Sequence, residues 1–300
     1  MKAVRINQWG EPVQIEELSQ PTPAAGEVLI RVQAASVNPV DRFIALGYMA
    51  NYVTAPLTLG TDFAGDVVAV GEGVTHLKAG DAVYGMSASR GTFAEYAVVN
   101  AAGVALKPQT IDYVQASAVP LTGLSAWQTL VDLAGLKSGE RILIHGAGGG
   151  IGTLAVQLAK NTGAHVIAHD KGDKRELLRS LGADEFINAD SERFEDKVSD
   201  LDVILDLVGG ELVERSWAIS RPGSRYVTTA MVDAEAAAKR GINASGVWTQ
   251  PNAEQLTKLA QTIDAGKLKV IVNQTFPLDQ AQTALSANPP GGGKVVITIQ

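Results

Sequence analysis

A glycine-rich turn between a strand pattern and a helix pattern is the feature that most constrains the fold. The apolar strand pattern Arg141–His145 runs into this turn, and an apolar helical pattern follows it. The turn consists of Gly146, Ala147, Gly148, Gly149, Gly150, Ile151 and Gly152. Ala147, Gly149 and Gly152 satisfy the A-x-G-x-x-G variant of the dinucleotide fingerprint, whose small residues permit a tight turn, the approach of a pyrophosphate and close helix packing. The turn is therefore predicted to bind a dinucleotide, with a purely structural turn as the alternative.

Strand and helix patterns alternate on both sides of this turn. The predicted strands are Arg141–His145, His165–His169, Glu185–Ile187, Asp202–Asp206 and Arg225–Thr229, and helical patterns such as Gly152–Asn161 and Lys174–Ser180 lie between them. Such alternation is typical of βαβ units on a parallel, doubly wound sheet.

The two ends of the chain have a different texture, with short apolar runs separated by Gly, Pro and Asp. This spacing predicts short strands in a small barrel or sandwich. We therefore predict an α/β protein in which residues 1–120 and 267–300 form one β-rich domain, and residues 121–266 form an inserted dinucleotide-binding domain.

Composition excludes several function classes. The 300 residues include no cysteine, which rules out disulfides, thiolate catalysis and zinc–thiolate sites. The net charge of −7 comes without a Lys/Arg run, so no nucleic-acid partner is expected. The N-terminal pattern lacks the regions of a signal peptide, and no apolar run approaches the ~20 residues of a membrane span. A cytoplasmic protein without a membrane partner is the expectation.

Several motifs in order along the chain resemble the quinone oxidoreductase branch of the medium-chain dehydrogenase/reductase superfamily. Besides the glycine-rich turn, they are ASVNPVD at 35–41, LGTDFAG at 59–65, AGDAVYG at 79–85, GTFAEY at 91–96, LDLVGG at 205–210 and GKVV at 293–296. The resemblance covers essentially the whole chain. It implies a GroES-like barrel for the outer segments, a Rossmann domain for the inner one and an active site in the cleft between them.

The resemblance also implies that the site contains no metal. Asn38 and Thr61 lie where zinc-containing relatives place a cysteine and a histidine ligand. Without a metal, hydrogen-bond donors must stabilise the charge that develops on the substrate oxygen. We expect Asn38 and Tyr48 to supply such donors, with Tyr48 also a candidate proton donor. Asp41 is predicted either to contact substrate or cofactor or to cap backbone amides.

Two further residues are candidates for cofactor contacts. Thr122 corresponds to a residue that touches the nicotinamide in the resembling family, although a helix N-cap would also explain it. Trp248 lies where the family's last Rossmann strand approaches the cofactor and a second subunit, with a core tryptophan as the alternative. The resemblance and an apolar edge strand at Val247-Trp248 together predict a homodimer.

The residues after the second Rossmann strand bear on which cofactor is bound. Asp170 ends that strand. A carboxylate at this place normally accepts hydrogen bonds from both ribose hydroxyls and repels a 2′-phosphate, which favours NADH. Lys171, Lys174 and Arg175 follow within one turn, and these cations could bind the 2′-phosphate of NADPH if Asp170 pairs with one of them. NADPH is the rule in the resembling branch, so we favour NADPH and leave NADH possible.

The implied reaction is hydride reduction of a small-molecule substrate, either a quinone or an α,β-unsaturated carbonyl compound. An NAD-dependent alcohol dehydrogenase-like enzyme is the first alternative, disfavoured because the ligands for zinc are missing. A dinucleotide-binding protein without turnover is the second.

Overall fold

Short strands from the N-terminal segment build the barrel. The structure is a computed structural model that describes residues 1–288 and 290–299; Pro289 and Gln300, both inside the predicted segment 267–300, lie outside the described residues. The strands are β1 (Lys2–Ile6), β2 (Gln14–Glu17), β3 (Glu27–Val37), β4 (Leu57–Thr58), β5 (Asp62–Val70), β6 (Ala82–Met86), β7 (Tyr96–Asn100) and β8 (Val104–Leu106). The helices of this segment are α1 (Pro39–Ala45) and α2 (Tyr113–Ser117).

The middle of the chain forms a parallel sheet flanked by helices. Its strands are β9 (Arg141–His145), β10 (His165–Asp170), β11 (Glu185–Asn188), β12 (Val203–Asp206), β13 (Arg225–Thr228) and β14 (Asn243–Gly246). Its helices are α3 (Pro120–Trp127), α4 (Gly150–Thr162), α5 (Arg175–Ser180), α6 (Glu211–Ala218), α7 (Ala234–Ala238) and α8 (Ala253–Asp264). The strand order β11-β10-β9-β12-β13-β14 is the 3-2-1-4-5-6 order of a Rossmann sheet.

The last described residues return to the barrel. β15 (Val272–Pro277), α9 (Ala281–Ser286) and β16 (Lys294–Thr298) follow the Rossmann segment. β16 pairs antiparallel with β3, and β5 pairs antiparallel with the other side of β3. Because neighbouring strands run in opposite directions, the end of β3 lies beside the starts of β5 and β16. This arrangement brings residues distant in sequence to one edge of the sheet.

Several apolar cores stabilise the two parts, and the core beneath α4 also includes side chains of β5, β6 and β8. Side chains such as Ile30, Phe63 and Ile297 pack inside the barrel. The Rossmann sheet buries one face beneath helices such as α4 and the other around residues such as Phe194 and Tyr226. Burial of apolar area on both faces explains why its strands read as continuous apolar runs in the sequence.

The predicted α/β class, with a GroES-like barrel and an inserted Rossmann domain, is confirmed, whereas the boundaries at 120/121 and 266/267 stay predictions. One strand prediction is wrong: Val247 and Trp248 follow β14 instead of forming a strand, because pairing with β13 ends at Gly246. Among the described residues, the helices are all too short or too polar to cross a membrane.

Candidate active site in the interdomain cleft

A cleft of about 340 Å³ separates the barrel from the Rossmann sheet. The barrel side is formed by the end of β3, the start of α1 and the chain entering β16, and the Rossmann side by the glycine-rich turn and the ends of its neighbouring strands. The described lining residues are Val37, Asn38, Pro39, Arg42, Leu121, Thr122, Gly146, Gly148, Gly149, Gly150, Ile151, Gly152, Asp170, Lys174, Leu207, Asn288, Gly292, Gly293, Lys294 and Val295. This position is the switch point of the Rossmann sheet, where ligands of such folds bind.

The glycine-rich turn forms a cradle at the N-terminus of α4. A β-carbon on Gly152 would lie 2.3 Å from the Gly146 carbonyl oxygen, so only glycine lets the helix pack on the turn. A β-carbon on Gly149 would meet only that same oxygen, at 3.3 Å, so the space beside Gly149 opens into the cleft. The first amides of a helix have no partner within the helix and favour an anion. The cradle therefore fits the pyrophosphate of a dinucleotide.

Asp170 is held by the turn and by a lysine. Its carboxylate accepts hydrogen bonds from the Gly148 amide at 2.5 Å and the Lys171 amide at 2.7 Å. The Lys174 ammonium lies 3.3 Å from the same carboxylate, and both side chains are mostly buried, with exposed fractions of 16% and 13% for Lys174 and Asp170. The Lys174 chain also crosses over Gly148. The carboxylate is thus paired with a cation on the wall of the cleft.

The remaining predicted cofactor residues lie in different places. Gly150 and Ile151 line the cleft with Thr122, whereas Ala147 is fully buried beneath the turn. Thr122 lies inside α3, which begins at Pro120, and its hydroxyl donates back to the Ala118 carbonyl at 2.7 Å. The N-cap interpretation of Thr122 is therefore wrong.

Lys171, Arg175 and Trp248 do not line the cleft in the part of the chain that the structure describes. Lys171 is exposed, and the Arg175 guanidinium stacks over the Phe186 ring with its carbon 5.1 Å from the ring centroid. Trp248 is 74% exposed, so the core interpretation of this tryptophan is wrong.

A buried polar network closes the barrel side of the cleft. Lys294 begins β16 beside the end of β3, and its ammonium donates to the Val37 carbonyl at 2.8 Å and to the Asn38 side-chain oxygen. The Asn38 amide donates in turn to Asp62 at 2.9 Å. Ser36 donates to the same carboxylate at 2.8 Å. These four polar side chains are buried, which is tolerable only because they bond to one another.

Asp41 sits behind this network. Its carboxylate accepts a hydrogen bond from the Asn38 backbone amide at 2.9 Å and one from the Thr61 hydroxyl at 3.0 Å. Asp41 is fully buried and caps the start of α1, which matches the capping interpretation of this residue. Burial raises the pKa of Asp41 to about 6 and also raises the pKa of Asp62.

Tyr48 lies outside the lining of the cleft formed by the described residues. It is 72% exposed on the segment after α1, and its ring packs near Phe43, with 6.2 Å between ring centroids. The structure thus brings Asn38 and Thr122 together with the glycine cradle but leaves Tyr48 on the surface. Its role as a proton donor stays a prediction.

Sequence reasoning assigned no role to three charged residues of the site: Lys294, Asp62 and Arg42. Lys294 and Asp62 were visible only as members of the GKVV and LGTDFAG motifs. Arg42 directly follows Asp41 and donates to the Ala287 carbonyl from the wall of the cleft. No local signal set Lys294 and Asp62 apart, since other strand patterns of the chain also begin with a charged residue.

Comparisons with known proteins agree with this architecture. Residues 24–109 match the family described as alcohol dehydrogenase GroES-like domain, and residues 181–297 match the family described as zinc-binding dehydrogenase. The chain is 35% identical to a 2-methylene-furan-3-one reductase from Solanum lycopersicum, over 99% of this chain and 79% of that protein. The solved quinone oxidoreductase of Escherichia coli, complexed with NADPH, superposes with a TM-score of 0.89 at 28% identity, covering 99% of this chain and 100% of that one.

A further relative is much longer than this chain. The chain is 36% identical to a spectinabilin polyketide synthase system protein from Streptomyces orinoci over 92% of its own length, but it spans only 13% of that protein. The matched family models, the sequence identity over nearly the whole chain and the close superposition support one assignment. The chain belongs to the medium-chain dehydrogenase/reductase superfamily, in its quinone oxidoreductase-like branch, and is an oxidoreductase.

Proposed function

We propose that this protein is an NADPH-dependent, metal-free reductase that transfers hydride to a quinone or an α,β-unsaturated carbonyl compound. The observation that carries the proposal is that one cleft joins the glycine cradle to a buried cationic donor, Lys294. A reductase of this kind needs a dinucleotide site and a group that stabilises negative charge on the substrate oxygen.

The residues of the cleft indicate where a nicotinamide dinucleotide would be held. The amides at Gly150 and Ile151 would face the pyrophosphate, and Thr122 would lie toward the nicotinamide. When bound, the nicotinamide supplies a hydride to the substrate. Relatives described as NAD(P)H oxidoreductase and a related structure solved with NADPH support this choice of cofactor class.

The preference for NADPH rests on the Asp170–Lys174 pair. An unpaired carboxylate at the end of β10 would repel a 2′-phosphate. The Lys174 ammonium lies 3.3 Å from the Asp170 carboxylate, and its positive charge offsets this repulsion. The ammonium also has further N–H groups to offer a phosphate. NADH remains the alternative cofactor.

The positions that bind zinc in other members of the superfamily do not suit zinc here. Asn38 replaces a cysteine and is already bonded to Lys294 and Asp62, and Thr61 donates its hydroxyl hydrogen to Asp41. A buried ammonium beside these residues would repel a divalent cation. These contacts support the metal-free proposal, although the family matched at 181–297 is described as zinc-binding.

Activity in the presence of a strong chelator tests the proposed function. We expect NADPH oxidation, followed in absorbance with a panel of quinones and enones, to be unchanged after chelator treatment and dialysis. Metal analysis of the purified protein should find zinc far below one ion per chain. Stoichiometric zinc together with activity lost on chelation would contradict the proposal.

We also propose that the protein is a homodimer. β14 is an edge strand of the Rossmann sheet, and the exposed Trp248 lies two residues after its end. An open edge next to a large exposed aromatic side chain is suited to pairing with a symmetry-related copy.

Sedimentation at micromolar concentration should therefore give a species of twice the chain mass of 31.4 kDa. Trp248→Asp should shift this species toward monomer by placing charge at the contact. A native protein that sediments only as a monomer would overturn the dimer.

A further inference from the structure

We propose that the Lys294 ammonium is the electrophile of this enzyme: it binds the substrate oxygen that becomes negative, stands in for the absent metal and then supplies the proton. This inference rests on the proposed reductase function and names the residue that performs its charge stabilisation. It replaces Asn38 and Tyr48 as the expected donors.

The hydrogen bonds of Lys294 leave a donor for a ligand. A lysine ammonium has three N–H groups. Among the described residues, two of them are used, by the Val37 carbonyl and the Asn38 side-chain oxygen. The side chain lines the cleft and runs across Gly150, where an added β-carbon would lie 2.6 Å from the Lys294 Cδ atom. The third N–H is thus available beside the dinucleotide cradle.

Asn38 cannot perform this task in the observed arrangement. Its amide nitrogen donates to Asp62 at 2.9 Å and lies 3.4 Å from the Ser36 carbonyl oxygen. Its side-chain oxygen accepts from Lys294. Both ends of the amide are thus occupied by partners within the protein, so Asn38 is a positioning residue that fixes the lysine.

The charges around Lys294 suit a group that must hold a proton and then release it. Asp62 at the start of β5 and Asp41 in α1 favour the ammonium, whereas Arg42 in α1 and burial disfavour it. Burial is the largest of these effects, and the pKa of Lys294 is lowered from 10.5 to about 8. The residue is therefore mostly protonated at neutral pH but a much stronger acid than an exposed lysine.

The proton and electron balance is simple. The substrate accepts two electrons with the hydride, and its conjugated electron pair moves onto the carbonyl or quinone oxygen. The Lys294 N–H bond breaks as a proton passes to the reduced substrate, which leaves a neutral amine. The amine regains its proton from solvent, so one hydride and one solvent proton are consumed in each turnover.

Binding of 4-nitrophenol tests the electrophile without any turnover. Its phenolate mimics an anionic substrate oxygen, and its absorbance reports its ionisation. In the presence of NADP⁺, we expect Lys294→Met to weaken phenolate binding by at least ~10-fold and to lower kcat by about 100-fold. The Kd for NADPH should change by less than ~3-fold, because the cradle is intact. Lys137→Met, at an exposed lysine, is the matched control and should behave as native.

Lys294→Arg separates charge from proton transfer. Arginine keeps the cation but does not release a proton in the accessible pH range. We expect this variant to retain phenolate binding but to lose most of kcat. Native activity should decline as pH rises through about 8, where Lys294 deprotonates, and this decline should be absent from the variant. Melting curves of both variants establish that they are folded.

Three results would overturn the proposal. The first is native phenolate affinity in a folded Lys294→Met variant. The second is a rise in the NADPH Kd as the main effect of this variant, which would place Lys294 at the pyrophosphate. The third is an unchanged pH profile in Lys294→Arg. If instead the native protein shows no reductase activity, the proposed function fails, while the phenolate experiment still reports on the cation.

Discussion

Gly149→Val should weaken NADPH binding by at least about 2 kcal/mol, close to a 30-fold rise in Kd, while the protein remains folded. A β-carbon here would approach one neighbour within 4 Å, the Gly146 carbonyl oxygen at 3.3 Å, so a small shift of the turn accommodates it. The two methyl groups beyond it would enter the space where the pyrophosphate approaches the amides of α4. Titration of intrinsic fluorescence with NADPH gives the Kd, and circular dichroism checks the fold.

Gly149→Ala and Gly152→Ala are the matched controls for this result. Gly149→Ala should bind NADPH with a smaller loss, because only the β-carbon is added. Gly152→Ala should lower the melting temperature of the cofactor-free protein, because its β-carbon would lie 2.3 Å from the Gly146 oxygen and 2.5 Å from the Ala147 oxygen. Unchanged NADPH affinity in folded Gly149→Val would show that the dinucleotide binds elsewhere.

Lys174→Ala should raise the Michaelis constant for NADPH about tenfold or more, a loss near 1.4 kcal/mol, while barely changing that for NADH. The substitution removes a cation expected to bind the 2′-phosphate and leaves the Asp170 carboxylate without the ammonium now 3.3 Å away. Both consequences weaken binding of NADPH, which carries the 2′-phosphate, and leave binding of NADH nearly unchanged. Steady-state kinetics with each cofactor measures the effect.

Two companion variants test the charge argument. Lys174→Met keeps the aliphatic chain that covers Gly148, so it should reproduce the NADPH defect if charge is the cause. Asp170→Asn removes the carboxylate charge but keeps an oxygen that can accept the hydrogen bond from the Gly148 amide. This variant should shift the cofactor preference further toward NADPH. If the native enzyme prefers NADH and Lys174→Ala affects both cofactors equally, the assignment of NADPH is wrong.

The Rossmann part of the fold could be predicted closely because its signals are local. The glycine spacing at 146–152 and the continuous apolar strands depend on neighbours in sequence, and β9 begins and ends where the sequence predicts. The prediction of a strand at Val247 and Trp248 is wrong because an apolar pair has the same sequence pattern whether or not a partner strand lies beside it. Pairing with β13 stops one residue earlier.

The Lys294 network could not be predicted from local patterns. Asn38, Asp62 and Lys294 come from the ends of three strands, and only the antiparallel register of β3 with its two neighbours brings them together. The same limitation applies to Tyr48. The family resemblance implied a place near the substrate, but the chain after α1 carries Tyr48 to the surface.

The most direct test of the proposed function is the rate at which the native protein oxidises NADPH and NADH with the same panel of quinones and enones. We predict reduction of at least one of these substrates, one NADPH consumed for each product molecule formed, and a higher kcat/KM with NADPH than with NADH. A protein that is stabilised against heat by NADPH but consumes none with any quinone or enone would contradict the proposed function, and would be a dinucleotide-binding protein without turnover.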